Sequence, residues 1–141
     1  DKLAFGAYNK LFAPNRTCFD WLSLDPENVD RYIADPLCGG NASVGLFREL
    51  LRGLRFIAKP ENLKKMNANT PVLFISGSMD PVGDCGRGVR RAYRSFLKAG
   101  ARDVSIQLYP ELRHEILNEA CREDIFRDLY LWLAEKAGLL L

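Results

Sequence analysis

The sequence has a single histidine in 141 residues, only two methionines, and four cysteines that never approach one another. Cys18, Cys38, Cys85 and Cys121 form no C-x-x-C pair and have no histidine at the spacing of a zinc site, so neither a structural metal nor a cofactor is expected. Free thiols of this kind suit a reducing compartment, which points to a cytoplasmic location. No uninterrupted apolar run reaches the roughly 18 residues of a membrane helix, and no charged-then-apolar leader opens the chain. Excess charge of one sign is also missing. Twenty basic residues against eighteen acidic leave +2, and the one basic cluster, Arg87, Arg90, Arg91 and Arg94, reads as the solvated face of a helix. No nucleic-acid partner is therefore expected. With 48% hydrophobic and 27% charged residues, the composition is that of an ordinary folded domain.

Strands are absent from the first part of the chain. Residues 1–59 are broken by Pro14, Pro26, Pro36 and the Gly39-Gly40 pair, and read as short helices and loops. Asp25-Pro26-Glu27 has the form of a helix start, with an N-cap, a proline at the first helical position and an acidic first turn. Val29, Tyr32 and Ile33 share a face beyond it. After Asn41, the residues Val44, Leu46, Phe47, Leu50, Leu51, Leu54 and Ile57 recur at the spacing of an amphipathic helix. With no strand to lie on, this segment is expected to form a helical cap whose apolar face looks partly into a cleft.

From residue 60 onward the pattern is α/β. Val72-Leu73-Phe74-Ile75, closed by Gly77, has the continuous apolar character of a parallel strand. A helix with Val89, Ala92, Tyr93, Phe96 and Leu97 on one face follows, and Gly100 supplies its stop. Val104, Ile106, Leu108 and Tyr109 form a second strand. A last helix, from about Glu119 to Lys136, is expected to bury Ile125, Phe126, Leu129, Trp132 and Leu133. Strand, helix and strand at this spacing make a parallel crossover the default geometry.

Parallel strands send the loops at their carboxyl ends to one edge, where ligands bind. One such loop here carries Asp80-Pro81 and the other His114, so these two residues should meet. A carboxylate placed there can orient the imidazole through its Nδ1 hydrogen and stabilise the imidazolium formed when the base takes a proton. An Asp-Pro after a strand is also an ordinary turn, and a loop histidine an ordinary polar residue. Asp84, placed to cap the next helix, and Glu111 and Glu115, close to His114 in sequence, are rival carboxylates. Asp103 begins the second strand and belongs to the opposite end of the sheet.

The two loops carry a resemblance to a known family. Pro71-Val72-Leu73-Phe74-Ile75-Ser76-Gly77-Ser78-Met79-Asp80-Pro81-Val82-Gly83-Asp84 resembles the strand and acid loop of α/β-hydrolases of the monoacylglycerol lipase and lysophospholipase type, grouped with serine aminopeptidase-like hydrolases. Leu108-Tyr109-Pro110-Glu111-Leu112-Arg113-His114-Glu115-Ile116-Leu117-Asn118-Glu119 resembles their histidine loop. Asp20-Trp21-Leu22 and Asp35-Pro36-Leu37-Cys38-Gly39 are similar to the cap region. The resemblance implies the carboxyl-terminal part of an α/β-hydrolase, with Asp80 as the triad acid, His114 as general base and no cofactor. It further implies a carboxylic, fatty-acyl ester such as a monoacylglycerol or lysophospholipid as substrate, with the cap touching lipid at its periphery.

The family's G-x-S-x-G nucleophile elbow has no counterpart here. Asn41-Ala42-Ser43-Val44-Gly45 comes nearest, but asparagine replaces the first glycine and no buried strand leads into it. Ser43 is better placed as a helix cap. The nucleophile is expected in an amino-terminal half that precedes Asp1, and the chain alone is expected to be inactive. Its open sheet edges should associate with that half or with another copy. The alternative reading is a non-catalytic remnant or binding module of hydrolase origin.

Overall fold

The computed structural model describes residues 6–139. A 3-10 turn at Tyr8–Phe12 opens them, and helix α1 (Pro26–Ala34) follows, with Asp25 accepting the Glu27 amide as its N-cap. Helix α2 (Val44–Ile57) is capped by Ser43, whose hydroxyl accepts the Leu46 amide at 3.1 Å. Among the described residues no strand precedes β1. A short helix, α3 (Pro60–Leu63), leads to strand β1 (Val72–Gly77), helix α4 (Arg87–Ala99), strand β2 (Val104–Tyr109) and the final helix α5 (Arg122–Lys136).

The two strands are parallel, with Val72 opposite Val104 and Gly77 opposite Tyr109. The pleat alternates their side chains between two helical layers. Phe74 meets Phe96 of α4 edge to face at 5.0 Å. On the other face Ile75 and Leu129 pack against a core of Tyr109, Leu112, Ile116 and Ile125. Gly100, in the left-handed conformation at φ 103°, ends α4 as the sequence implies.

Three expectations are corrected. Helix α5 starts at Arg122 rather than near Glu119, because the Glu119 carboxylate is buried and bonded to residues at the far end of the chain. Phe126 and Leu133 are exposed, as they flank the inward stripe of Ile125, Leu129 and Trp132 and no described residue covers them. Asp84 does not cap α4, whose N-cap is Gly86. Apart from the half-buried Phe47, the apolar residues of α2 are also solvent-facing, with Val44 86% and Leu51 58% exposed.

Gly77 is where the two loops leaving the strands come closest. A Cβ there would lie 2.2 Å from the carbonyl oxygens of both Leu112 and Arg113. No rotamer change relieves a clash with backbone, so only glycine permits this approach. Gly77→Ala is expected to destabilise the fold by at least about 2 kcal/mol in urea unfolding. Gly83→Ala should cost less, since its nearest neighbour is the Val89 side chain at 3.1 Å.

Candidate active site

The acid loop and the histidine loop are stitched together by backbone. The Ser78 amide donates to the Tyr109 carbonyl at 2.8 Å, the Met79 amide to the Leu112 carbonyl at 2.9 Å, and the Glu111 amide to the Ser78 hydroxyl at 2.9 Å. Glu111 adopts a left-handed φ of 62°, which turns the loop back across the sheet edge. This stitching carries Asp80 and His114 to one place although 34 residues separate them. The imidazole Nδ1 lies 3.2 Å from Asp80 Oδ1 and 3.1 Å from Oδ2. The Val82 amide donates to Oδ1 at 2.8 Å and fixes the carboxylate from its other side.

Asp80 is 7% exposed, whereas the His114 side chain is 38% exposed. The Nε2 edge of the ring has no hydrogen-bond partner among the described residues. His114 lines a cavity of about 420 Å³ together with Ser76, Asp80, Glu115 and Ile116. The hydrogen bond to Asp80 raises the imidazole pKa above its ordinary value, against the lowering effect of burial, and the charges of Asp80 and Glu115 add to the rise. A ring held this way can accept a proton at Nε2 while Nδ1–H stays with the carboxylate.

The rival carboxylates are engaged elsewhere. Asp84 binds Arg87 at 2.6 Å and Arg91 at 3.6 Å. Glu115 accepts from the side-chain amides of Asn28 at 2.8 Å and Asn118 at 3.1 Å. Asp103 meets Lys136 at 3.0 Å, at the amino end of β2. Glu111 enters the loop through its backbone. Ser43 is exposed and its hydroxyl serves α2. No cluster among the described residues offers three ligands to a metal ion.

Sequence reasoning missed what surrounds the histidine. Trp21 packs against it with ring centroids 5.2 Å apart. Its neighbours bond the loop on both sides: the Glu115 amide donates to the Leu22 carbonyl at 2.8 Å, and Arg113 donates to the carbonyls of Asp20 and Ser23. Glu119, 2% exposed, accepts from the Ser23 hydroxyl at 2.8 Å and from the amides of Leu24 and Asp25. These partners lie some 95 residues apart, so no local pattern announces them. The available signal was the resemblance of Asp20-Trp21-Leu22 to the cap region, which does not say that these residues meet the histidine loop.

A parallel crossover with an Asp–His pair at the carboxyl edge of its strands, reached through a largely helical segment, defines the carboxyl-terminal part of an α/β-hydrolase. The sequence profile of the serine aminopeptidase (S33) hydrolases matches residues 2–121, and the chain belongs to that family. A monoacylglycerol lipase of Mycolicibacterium smegmatis is 31% identical over 118 residues, which cover 81% of this chain and 38% of that protein. A thermostable carboxyl esterase from Bacillus coagulans, solved in complex with glycerol, superposes with a TM-score of 0.86 at 24% identity, over 95% of this chain and 44% of that one. The monoacylglycerol lipase of Paleococcus ferrophilus gives 0.63 at 21% identity, over 96% and 52%. The chain thus spans about half the length of these relatives or less.

The histidine pair sets a pH dependence. Its folded-state pKa is raised above the ordinary 6.5, so the pair's contribution to stability is complete below that value and is lost as pH rises through the folded pKa. The single histidine permits a direct reading by NMR titration. The wild-type imidazole should titrate above 6.5, and Asp80→Asn should lower its pKa and flatten the corresponding slope of stability against pH.

Proposed function

We propose that this chain contributes the acid, Asp80, and the general base, His114, of a serine hydrolase that cleaves carboxylic esters. The observation that carries the reading is the bond between the His114 Nδ1 and a buried carboxylate, on a half-exposed ring that lines a cavity and whose Nε2 has no hydrogen-bond partner among the described residues. The nucleophile in this scheme is a serine on a G-x-S-x-G elbow outside the 141 residues. His114 takes its proton at Nε2, the serine oxygen attacks the ester carbonyl, and backbone amides hold the oxyanion. The imidazolium, stabilised by Asp80, then protonates the leaving alcohol. Water repeats the sequence in reverse roles to release the acid.

A fatty-acyl ester, a monoacylglycerol or a lysophospholipid, is the substrate class we assign. The names of the relatives support it, and so does the exposed apolar face of α2, where Leu46, Leu50 and Leu54 stand open. Each acyl methylene buried there would contribute about 0.8 kcal/mol. The rest of the hydrolase sheet would pair with the open edge of β1 and cover the exposed Phe126 and Leu133 of α5. We place the enzyme in the cytoplasm, on its unpaired cysteines.

In a hydrolase that carries the serine, His114→Ala is expected to lower kcat by about 10⁴-fold with substrate binding retained. Asp80→Asn should lower it strongly and Asp84→Asn little, measured side by side on p-nitrophenyl esters. The 141-residue chain alone should resist a serine-directed fluorophosphonate. Labelling at Ser43 would overturn the assignment of the nucleophile to another segment.

A further inference from the structure

We propose that residues 20–23 form a strap that positions His114, with Trp21 as the positioning residue and the buried Glu119 as its anchor; this rests on the assignment of His114 as general base. Asp80 orients the imidazole but touches only its Nδ1 edge. Both carboxylate oxygens approach the same ring atom, Nδ1, within 3.2 Å. With Cγ tethered through Cβ and Nδ1 bonded to the carboxylate, one edge of the ring is held, and tilting about that edge still moves Nε2. A second contact, on the ring's face, is required to aim it.

Trp21 provides that contact. Its indole is 8% exposed, lies 5.2 Å from the imidazole at an interplanar angle of 40°, and is backed by Tyr8 at 5.3 Å. The Trp21 amide donates to the Asn9 side chain at 2.9 Å, so the residue is held by backbone as well as by packing. The strap meets the histidine loop in register. The residues on either side of His114, Arg113 and Glu115, bond to carbonyls on either side of Trp21, at Asp20, Leu22 and Ser23.

The anchor closes the far end. Glu119 is a buried carboxylate that the triad does not use, and it accepts from Ser23 Oγ and from the Leu24 and Asp25 amides. Three donors of this kind satisfy a charge that would otherwise be costly to bury. Arg113 adds its guanidinium over the Phe12 ring at 4.1 Å. Every one of these groups lies outside the reacting atoms, and together they determine where Nε2 points.

The test has two arms. In the hydrolase bearing its nucleophile, with p-nitrophenyl butyrate, Trp21→Leu is expected to lower kcat about 10-fold or more with KM changed less than about 2-fold, and Trp21→Phe to restore most of the loss. In the 141-residue chain, NMR of the single imidazole should show its carbon-bound protons losing the ring-current shift and averaging between orientations in Trp21→Leu, while the Nδ1–H tautomer survives. Glu119→Gln, which keeps the size and removes the charge, should lower kcat at least about 3-fold and broaden the same signals. It carries the test if Trp21→Leu fails to fold. Native kcat and unshifted imidazole signals in a folded Trp21→Leu or Glu119→Gln protein would overturn the strap. Undiminished activity in His114→Ala would instead overturn the assignment of the base, whatever the strap variants do.

Discussion

The site depends on one close approach: the backbone of Gly77 against the carbonyls of Leu112 and Arg113. Because that contact is backbone to backbone, it locks the two loops leaving the parallel strands into one ribbon, and the amides of Ser78 and Met79 complete it. Asp80 then has no route away from His114. The carboxylate is buried and held by the Val82 amide as well as by the imidazole, so its orientation is set by the fold.

What the sequence discloses and what it conceals follow the range of the interactions. Both strands, the crossover helix, the Asp25 and Ser43 caps and the Gly100 stop are set within a few residues, and each can be read from periodicity and turn chemistry. The Asp80–His114 pair is legible for a related reason, because parallel topology alone sends both loops to the same edge. Glu119 was opaque. Taken as the start of α5, it sits outside the helix with its carboxylate committed to Ser23, Leu24 and Asp25, and no local pattern encodes a partner that distant. The exposure of Phe126 and Leu133 was concealed in another way, since helical spacing marks an apolar stripe without marking its width or what covers it.

The crossover and residues 20–23 hold the Asp–His pair, whereas α2 presents an open apolar face. α2 takes no part in the hydrogen bonds around His114. Sequence in α2 can therefore change with little effect on the imidazole.

The separation between Ser23 and Glu119 along the chain has a consequence for the order of assembly. The crossover closes a loop of a few tens of residues, while the bond between Ser23 and Glu119 spans 96, and the longer closure costs more entropy before it returns any contact. The crossover can form first, and residues 20–25 dock onto it afterwards. In reverse, undocking of residues 20–25 must break the bonds to Glu119 and uncover Trp21, Leu22 and Ser23 while the crossover can stay folded. In that partly opened state the carboxylate would still hold Nδ1, but the imidazole would have lost its backing, so amide exchange at Leu24 and Asp25 would report the lifetime of the competent geometry.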